Sequence, residues 1–246
     1  NSNNTKYNFK AVIVGCARDI QTMVLHSISE MYKLGSEFEK FVIVIYENDS
    51  EDDTLNILKE FSRLHTNVII LSEKKVKGHR TKVLAHARNT LLQYARCHYT
   101  NYDFFIVMDM DFMRRNTKSL ASIACLMKPW WNAVTAVSRK EYYDWWAFRC
   151  KRLDMDYDCL NDIVEIEKKG NNDNWHDKWK HHMNHRLRKV ESAFNGIAIY
   201  RFGSIPTTAS YVGSEHGMEI CEHVKFNECI SNIYIHPKLI SSTWDD

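Results

Sequence analysis

Two aspartates one residue apart, Asp109-Met110-Asp111, follow an apolar run, Phe104-Phe105-Ile106-Val107-Met108. The run is β-branched and aromatic, which is the composition of a buried strand. Two carboxylates delivered to one strand end repel each other unless a cation sits between them. A hard divalent ion, held by one or two carboxylates and completed by phosphate oxygens, meets that need. The carboxyl end of a strand in an open α/β sheet is also where ligands bind. Asp109 and Asp111 are therefore read as a metal–diphosphate site. The plainer alternative is a strand followed by a polar turn.

The elements that must position this pair can be read from periodicity. Residues 11–15 form a first strand, and Ile20, Met23, Val24, Ile28, Met31 and Tyr32 then recur at helical spacing, with Gly35 as the stop. Residues 41–46 form a second strand, after which Asp49 or Ser50 caps a helix with Leu55, Leu58 and Phe61 on its apolar face. Residues 67–71 form a third strand, and Val83, Leu84, Ala87, Leu91 and Tyr94 make a third helical stripe before Phe104–Met108. Strands alternating with helices predict a doubly wound, mostly parallel sheet. No Gly-x-Gly-x-x-Gly follows the first strand and no Walker loop is present, so neither glycine-based phosphate cradle applies. Residues 133–137 and 197–200 read as further strands in a less regular second half. With no linker and no internal repeat, one domain is expected, with a regular half at about 8–115 and an irregular, substrate-binding half at about 116–240.

At 246 residues the chain is long enough for one large α/β domain. A net charge of +2 gives no general attraction to nucleic acid or anionic membrane. No apolar run approaches the length of a membrane span. The first residue is Asn1, not Met, and no signal peptide is visible, so a domain cut from a longer protein is expected. Seven scattered cysteines without Cys-x-x-Cys point to free thiols in a reducing, cytoplasmic compartment.

Two segments of the second half admit two readings each. The aromatic block 142–146, with Asp144 inside it, is either a platform for a sugar face or ordinary core. The basic stretch 168–189 is either a solvated loop or helix beside the site or, through His181 and His185, a zinc site. The zinc reading has neither the glutamate nor the cysteines such sites use.

Taken together, these residues resemble a GT-A type glycosyltransferase. In that superfamily a nucleotide-binding half of alternating strands and helices, which the resemblance places at about 8–115, ends in Asp-x-Asp, here Asp109-Met110-Asp111, and an acceptor-binding half follows, at about 116–240. The acidic stretch from Tyr46 to Thr54 is similar to the turn after its second strand. Arg80 with Leu84-Ala85-His86-Ala87-Arg88-Asn89 resembles a helix of capsule-associated and fungal mannosyltransferases, and similar domains occur in large DNA viruses and algae. Ser192-Ala193-Phe194-Asn195-Gly196-Ile197-Ala198-Ile199-Tyr200 resembles a segment that contacts donor and acceptor sugars. Cys221-Glu222-His223 falls where many inverting members carry a Glu-Asp pair, with His223 in place of the second acid.

The resemblance implies a metal-dependent hexosyl- or deoxyhexosyltransferase using Mn2+ or Mg2+. It would move a sugar from a UDP- or GDP-sugar to a hydroxyl of a glycan or glycoconjugate, with inversion, in the cytoplasm (of the host, if the chain is viral). It implies Asp111 as direct metal ligand and Asp109 as ligand to the metal or the ribose, with His236 as a third metal ligand for which His216 and His223 compete. It implies Glu222 as general base, with Glu191 and Glu215 in reserve and Asp144 as an acceptor contact. Ala17 and Arg18 after the first strand, and Glu47 and Asn48 after the second, would meet the nucleoside. Arg80 and Arg88 would offset the diphosphate charge, with Lys82 read as a solvated helix face. Two other functions compete. One is a carbohydrate-binding module with this fold and no chemistry. The other is an Asp-x-Asp phosphohydrolase, which Met113 and the late position of the motif argue against.

Overall fold

The computed structural model describes residues 7–111, 117–138, 142–168, 183 and 185–241. Strand β1 (Tyr7–Ala17) feeds helix α1 (Gln21–Gly35), β2 (Phe38–Asn48) feeds α2 (Thr54–Leu64), and β3 (Val68–Glu73) feeds α3 (Arg80–His98). β4 (Phe104–Met108) precedes α4 (Thr117–Cys125) and β5 (Ala133–Ser138). There follow α5 (Ile163–Lys168), β6 (Arg188–Val190), β7 (Ile197–Arg201), the short hairpin of β8 (Ser214–Glu215) and β9 (Met218–Glu219), α6 (Glu222–Glu228) and β10 (Ile233–Ser241).

Among the described residues eight strands form one sheet in the order β3-β2-β1-β4-β7-β5-β10-β6. β1 pairs in parallel with β2 and β4, β2 with β3, and β5 with β10. β7 lies antiparallel between β4 and β5, and β6 antiparallel to β10. This is the mixed, mostly parallel α/β sheet flanked by helices that the alternation of elements predicts.

Both faces of the first strands are buried, as unbroken apolar runs require. Val12, Val14 and Val107 pack with Leu91, Leu92 and Ala95 of α3. Ala11, Ile13 and Ile106 pack on the other face with Ile28 and Met31 of α1 and Ala121 of α4. Each fully buried aliphatic chain contributes about 1.5–3 kcal/mol relative to exposure. α1 ends at Gly35 as expected, and the packing there demands a glycine, since a Cβ would meet the Phe41 ring.

Three local expectations are corrected. Neither Asp49 nor Ser50 caps α2, which begins after Asp53. Asp49 instead takes a left-handed φ of 53° and accepts the backbone N–H groups of Lys75 and Val76. Arg188 and Lys189, at the end of the supposed solvated stretch, are in β6 on the sheet edge. β10 has no counterpart in the sequence reading, because its proline and histidine break the apolar alternation. No helix among the described residues is long and apolar enough to cross a membrane.

Candidate active site

A cleft of about 690 Å³ opens at the carboxyl ends of β1, β2 and β4, bounded by α3, the 143–146 segment and the start of α6. Asp109 is the first residue past β4, and its N–H still donates to Gly196 O at 2.9 Å, so the ladder with β7 fixes its backbone. Met110 turns into the core at 1% exposure, and its carbonyl accepts the Ser27 hydroxyl. Gly15 on β1 gives it room, since a Cβ there would sit 2.8 Å from Met110 Cγ. The buried methionine thus anchors the pair, leaving Asp109 half-buried and Asp111 exposed on the cleft wall.

Arg88 of α3 forms the floor. It is buried, and its Nε donates to Glu222 Oε1 at 3.0 Å while Nη2 donates to Asp109 Oδ1 at 3.1 Å. Its guanidinium lies 5.0 Å from the Phe194 ring centre. Burial opposes its charge, but the carboxylates, Glu222 foremost, more than offset that and hold it firmly cationic. Glu222 opens α6 and is itself buried. His223 beside it stacks on Phe194 at 3.7 Å, and burial, with Arg88 adding to it, keeps its imidazole neutral.

On the other wall, Asn195 at φ 55° ties two segments together. Its Oδ1 accepts the N–H groups of Tyr143 and Asp144, and its Nδ2 donates to Ser138 and Ser241. Asp144 accepts the Asn195 N–H at 2.9 Å, and burial pushes its carboxyl up to about 6, against that hydrogen bond and with help from Asp109 and Glu222. The aromatic block divides between its two readings. Tyr142 is core, whereas Tyr143 and Trp146 line the cleft, Trp146 with Nε1 donating to Asp158.

The structure brings together most of the residues singled out from sequence: Ala17, Arg18, Asn48, Arg80, Arg88, Asp109, Asp111 and Glu222 all line this cleft. Glu47 does not. It turns back to accept the Ser50 N–H and the Ser72 hydroxyl, holding the β2 turn. His236 is not brought to the aspartates either. It lies on β10 with its ring 6.3 Å from that of Trp131. Glu191 and Glu215 are engaged elsewhere, with Lys151 and Lys225. His181, His182 and Met113 lie outside the described residues. Cys16 beside Ala17, Phe194 in the segment read as a sugar contact and Tyr143 in the aromatic block also line the cleft. Burial pushes the Cys16 thiol up to about 11, so it stays protonated.

Among the described residues no three His, Cys, Asp or Glu side chains gather to hold a metal by themselves. Two carboxylates on an open cleft wall still suit a hard divalent ion that draws its other ligands from phosphate and water.

No family model and no curated protein matches the sequence. Solved structures do resemble the fold. Mannosyltransferase PcManGT from Pyrobaculum calidifontis, in complex with GDP-Man and Mn2+, aligns with a TM-score of 0.61 at 11% identity, over 96% of this chain and 57% of that one. S. aureus TarS (1–349) aligns at 0.58 and 13% identity, over 95% and 60%. Glucosyl-3-phosphoglycerate synthase from Mycobacterium tuberculosis, with Mn2+, UDP and phosphoglyceric acid, aligns at 0.51 and 10%, over 95% and 70%. The chain therefore has the GT-A fold, and it spans 57% and 60% of the first two of these proteins.

Proposed function

We propose that this chain is a metal-dependent glycosyltransferase that moves a sugar from a UDP- or GDP-sugar to a hydroxyl of a glycan or glycoconjugate. The observation that carries the reading is the convergence of Asp109, Asp111, Arg88 and Glu222 on one cleft at the strand ends. Three structural neighbours support it: PcManGT with GDP-Man and Mn2+, TarS with UDP-GlcNAc, and the synthase with UDP and Mn2+.

In this reading Ala17, Arg18 and Asn48 meet the nucleoside, and Arg80 meets the diphosphate. Asp109 and Asp111 would hold Mn2+ or Mg2+, which when bound neutralises the departing diphosphate. The acceptor oxygen bonds to the anomeric carbon as the bond from that carbon to the diphosphate breaks. The nucleoside diphosphate leaves with the electron pair, and the hydroxyl proton passes to Glu222. A carboxylate fixed by Arg88 is placed for that transfer without reorganising. Tyr143 and Trp146 offer the acceptor ring a surface to stack on.

The test is a thermal-shift panel of UDP, GDP and their common sugar conjugates, each with Mn2+, Mg2+ or chelator. A metal-dependent rise with one nucleotide, lost in Asp109→Ala and Asp111→Ala, is expected. No rise with any nucleotide or conjugate in folded protein would favour the carbohydrate-binding module.

A further inference from the structure

Helix α3 reaches α6 through two neighbouring side chains. Arg88 meets the Glu222 carboxylate directly. Asn89, the next residue, takes both backbone groups of Tyr211: its Nδ2 donates to Tyr211 O and its Oδ1 accepts the Tyr211 N–H, each at 2.8 Å. An asparagine amide offers a donor and an acceptor side by side, so it closes on a residue's backbone much as a paired strand does. Two further α3 residues, spaced to share a helix face with Asn89, hold the chain on either side of Tyr211. Thr81 donates its hydroxyl to Gly213 O, and Arg96 donates to Pro206 O at 2.6 Å and Ala209 O at 3.3 Å. The segment 206–213 forms no helix or strand of its own, so these side chains stand in for a ladder.

Tyr211 passes that hold on to α6. Its ring lies flat on Phe226, with centres 4.1 Å apart, and meets the His223 ring edge-on at 5.7 Å. His223 is thereby held between that edge and the face of Phe194. α6 is seven residues long, and its N-cap Cys221 makes no side-chain capping bond. So short a helix does not hold itself, and its orientation comes from what packs on it. Glu222 opens α6, so the seat of the Tyr211 ring bears on where its carboxylate points. Thr81 and Arg96 hold other residues of the segment, whereas Asn89 holds the one whose aromatic ring packs on α6.

We propose that Asn89 is a positioning residue for proton transfer: by fixing Tyr211 it holds α6 so that the Glu222 carboxylate faces the acceptor oxygen. The proposal rests on the reading of Glu222 as base given above. Asn89 itself touches no reacting atom. A misplacement of about 1 Å costs roughly 10²-fold in rate, so losing the clamp should be felt in kcat and not in donor binding.

The experiment follows nucleotide release from GDP-mannose and from UDP-GlcNAc by the full chain with Mn2+, with water as the acceptor. The water oxygen bonds to the anomeric carbon, the nucleoside diphosphate leaves with the electron pair, and the proton passes to Glu222. Asn89→Leu removes both hydrogen bonds at similar volume, and Asn89→Asp keeps the one from the Tyr211 N–H. Asn89→Leu is expected to lower kcat by about 10–10²-fold and Asn89→Asp by less, with the donor KM unchanged. In a Glu222→Gln background Asn89→Leu is expected to cost nothing further, because it acts through that carboxylate. An equal fold loss in both backgrounds overturns the proposal and makes Asn89 a staple of the fold only. So does an unchanged kcat, or a Glu222→Gln variant as active as wild type. Urea denaturation gives a reading that needs no turnover. The coupling between Arg88→Met and Glu222→Gln is expected to shrink by about half or more in either Asn89 variant, and an unchanged coupling overturns the proposal. Should Asn89→Leu fail to fold, Asn89→Asp carries both measurements. If the wild type turns over neither donor, the nucleotide-sugar reading has failed, and this proposal with it, whereas turnover without coupling fails this proposal alone.

Discussion

Asp109 and Asp111 reach the cleft because a strand ends there, with β1 and β7 pairing on either side of β4 and Met110 pinned beneath. Tyr143 and Asp144 reach the opposite wall by other means. No strand carries them; one side chain, Asn195, holds their backbone by accepting two N–H groups. The first wall is built by backbone pairing shared among many residues, and the second hangs on a few side-chain hydrogen bonds. Between them lies Arg88, which belongs to a helix of the first half and grips Glu222 of the second. Damage to the first wall should therefore remove chemistry while leaving the fold intact. Damage to the second, or to the joint, should loosen structure as well.

The largest effect tests the first wall. Asp111 is exposed, so its side chain carries little of the fold, whereas the half-buried Asp109 also holds Arg88. Asp111→Ala and Asp109→Ala should lower turnover by about 10²–10³-fold, the usual cost of removing one electrostatic stabiliser of a transition state. Denaturation midpoints should stay close to wild type for Asp111→Ala. A variant with normal turnover would show that the strand end is not the chemical centre.

Next comes the joint. Arg88→Met leaves the carboxylate of Glu222 buried without its partner, which costs about 3–5 kcal/mol in comparable buried pairs. Urea denaturation measures it. Arg88→Met combined with Glu222→Gln removes both charges and should recover part of the loss. If the single and double variants are equally unstable, Arg88 acts through packing on Phe194 and not through the ion pair.

The same contrast explains what could be read from the sequence. Strands β1, β2 and β4 announce themselves because two-sided burial makes unbroken apolar runs, and Asp109-Met110-Asp111 stands at the end of one of them. Arg88 could be noticed among the apolar residues of its stripe. Its pairing with Glu222 could not, since the two are 134 residues apart and only the packing of α6 against α3 brings them together. For a similar reason Glu47 does not line the cleft. A strand end places the residue, but Ser72 on the neighbouring strand decides where its carboxylate points. His236 stands late in the chain, as the resemblance asks of a metal ligand, but β10 sets its ring beside that of Trp131. The Asn195 clamp has no periodic signature at all, because its partners come from β5, β10 and the 143–144 loop.

That clamp gives a smaller effect. Asn195 sits at φ 55°, where glycine is at ease, so Asn195→Gly removes the side-chain hydrogen bonds without adding backbone strain. A loss of about 1–3 kcal/mol is expected from the unmet groups. In kinetics the acceptor KM should rise while calorimetric affinity for the nucleotide is unchanged, because the two walls are held separately. A parallel loss of nucleotide affinity would mean that they are not.

The smallest effect follows from Asp144, and its sign can be worked out. Its carboxyl stands at about 6 in the folded protein against an ordinary 3.8, chiefly through burial. Over the interval between those values the folded chain keeps a proton that the unfolded chain has lost. The resulting stability is full below the unfolded value and disappears as pH rises through the folded one. Asp144→Asn cannot titrate, so any change in its own hydrogen bonding is a constant offset. The stability of wild type minus that of Asp144→Asn should therefore fall by about 1–2 kcal/mol between pH 4 and pH 7, discounted for partial exposure. Carboxylates common to both proteins cancel in the difference. A flat difference would mean that Asp144 is ionised and solvated at both ends of the range, and that the second wall is as open to water as the first.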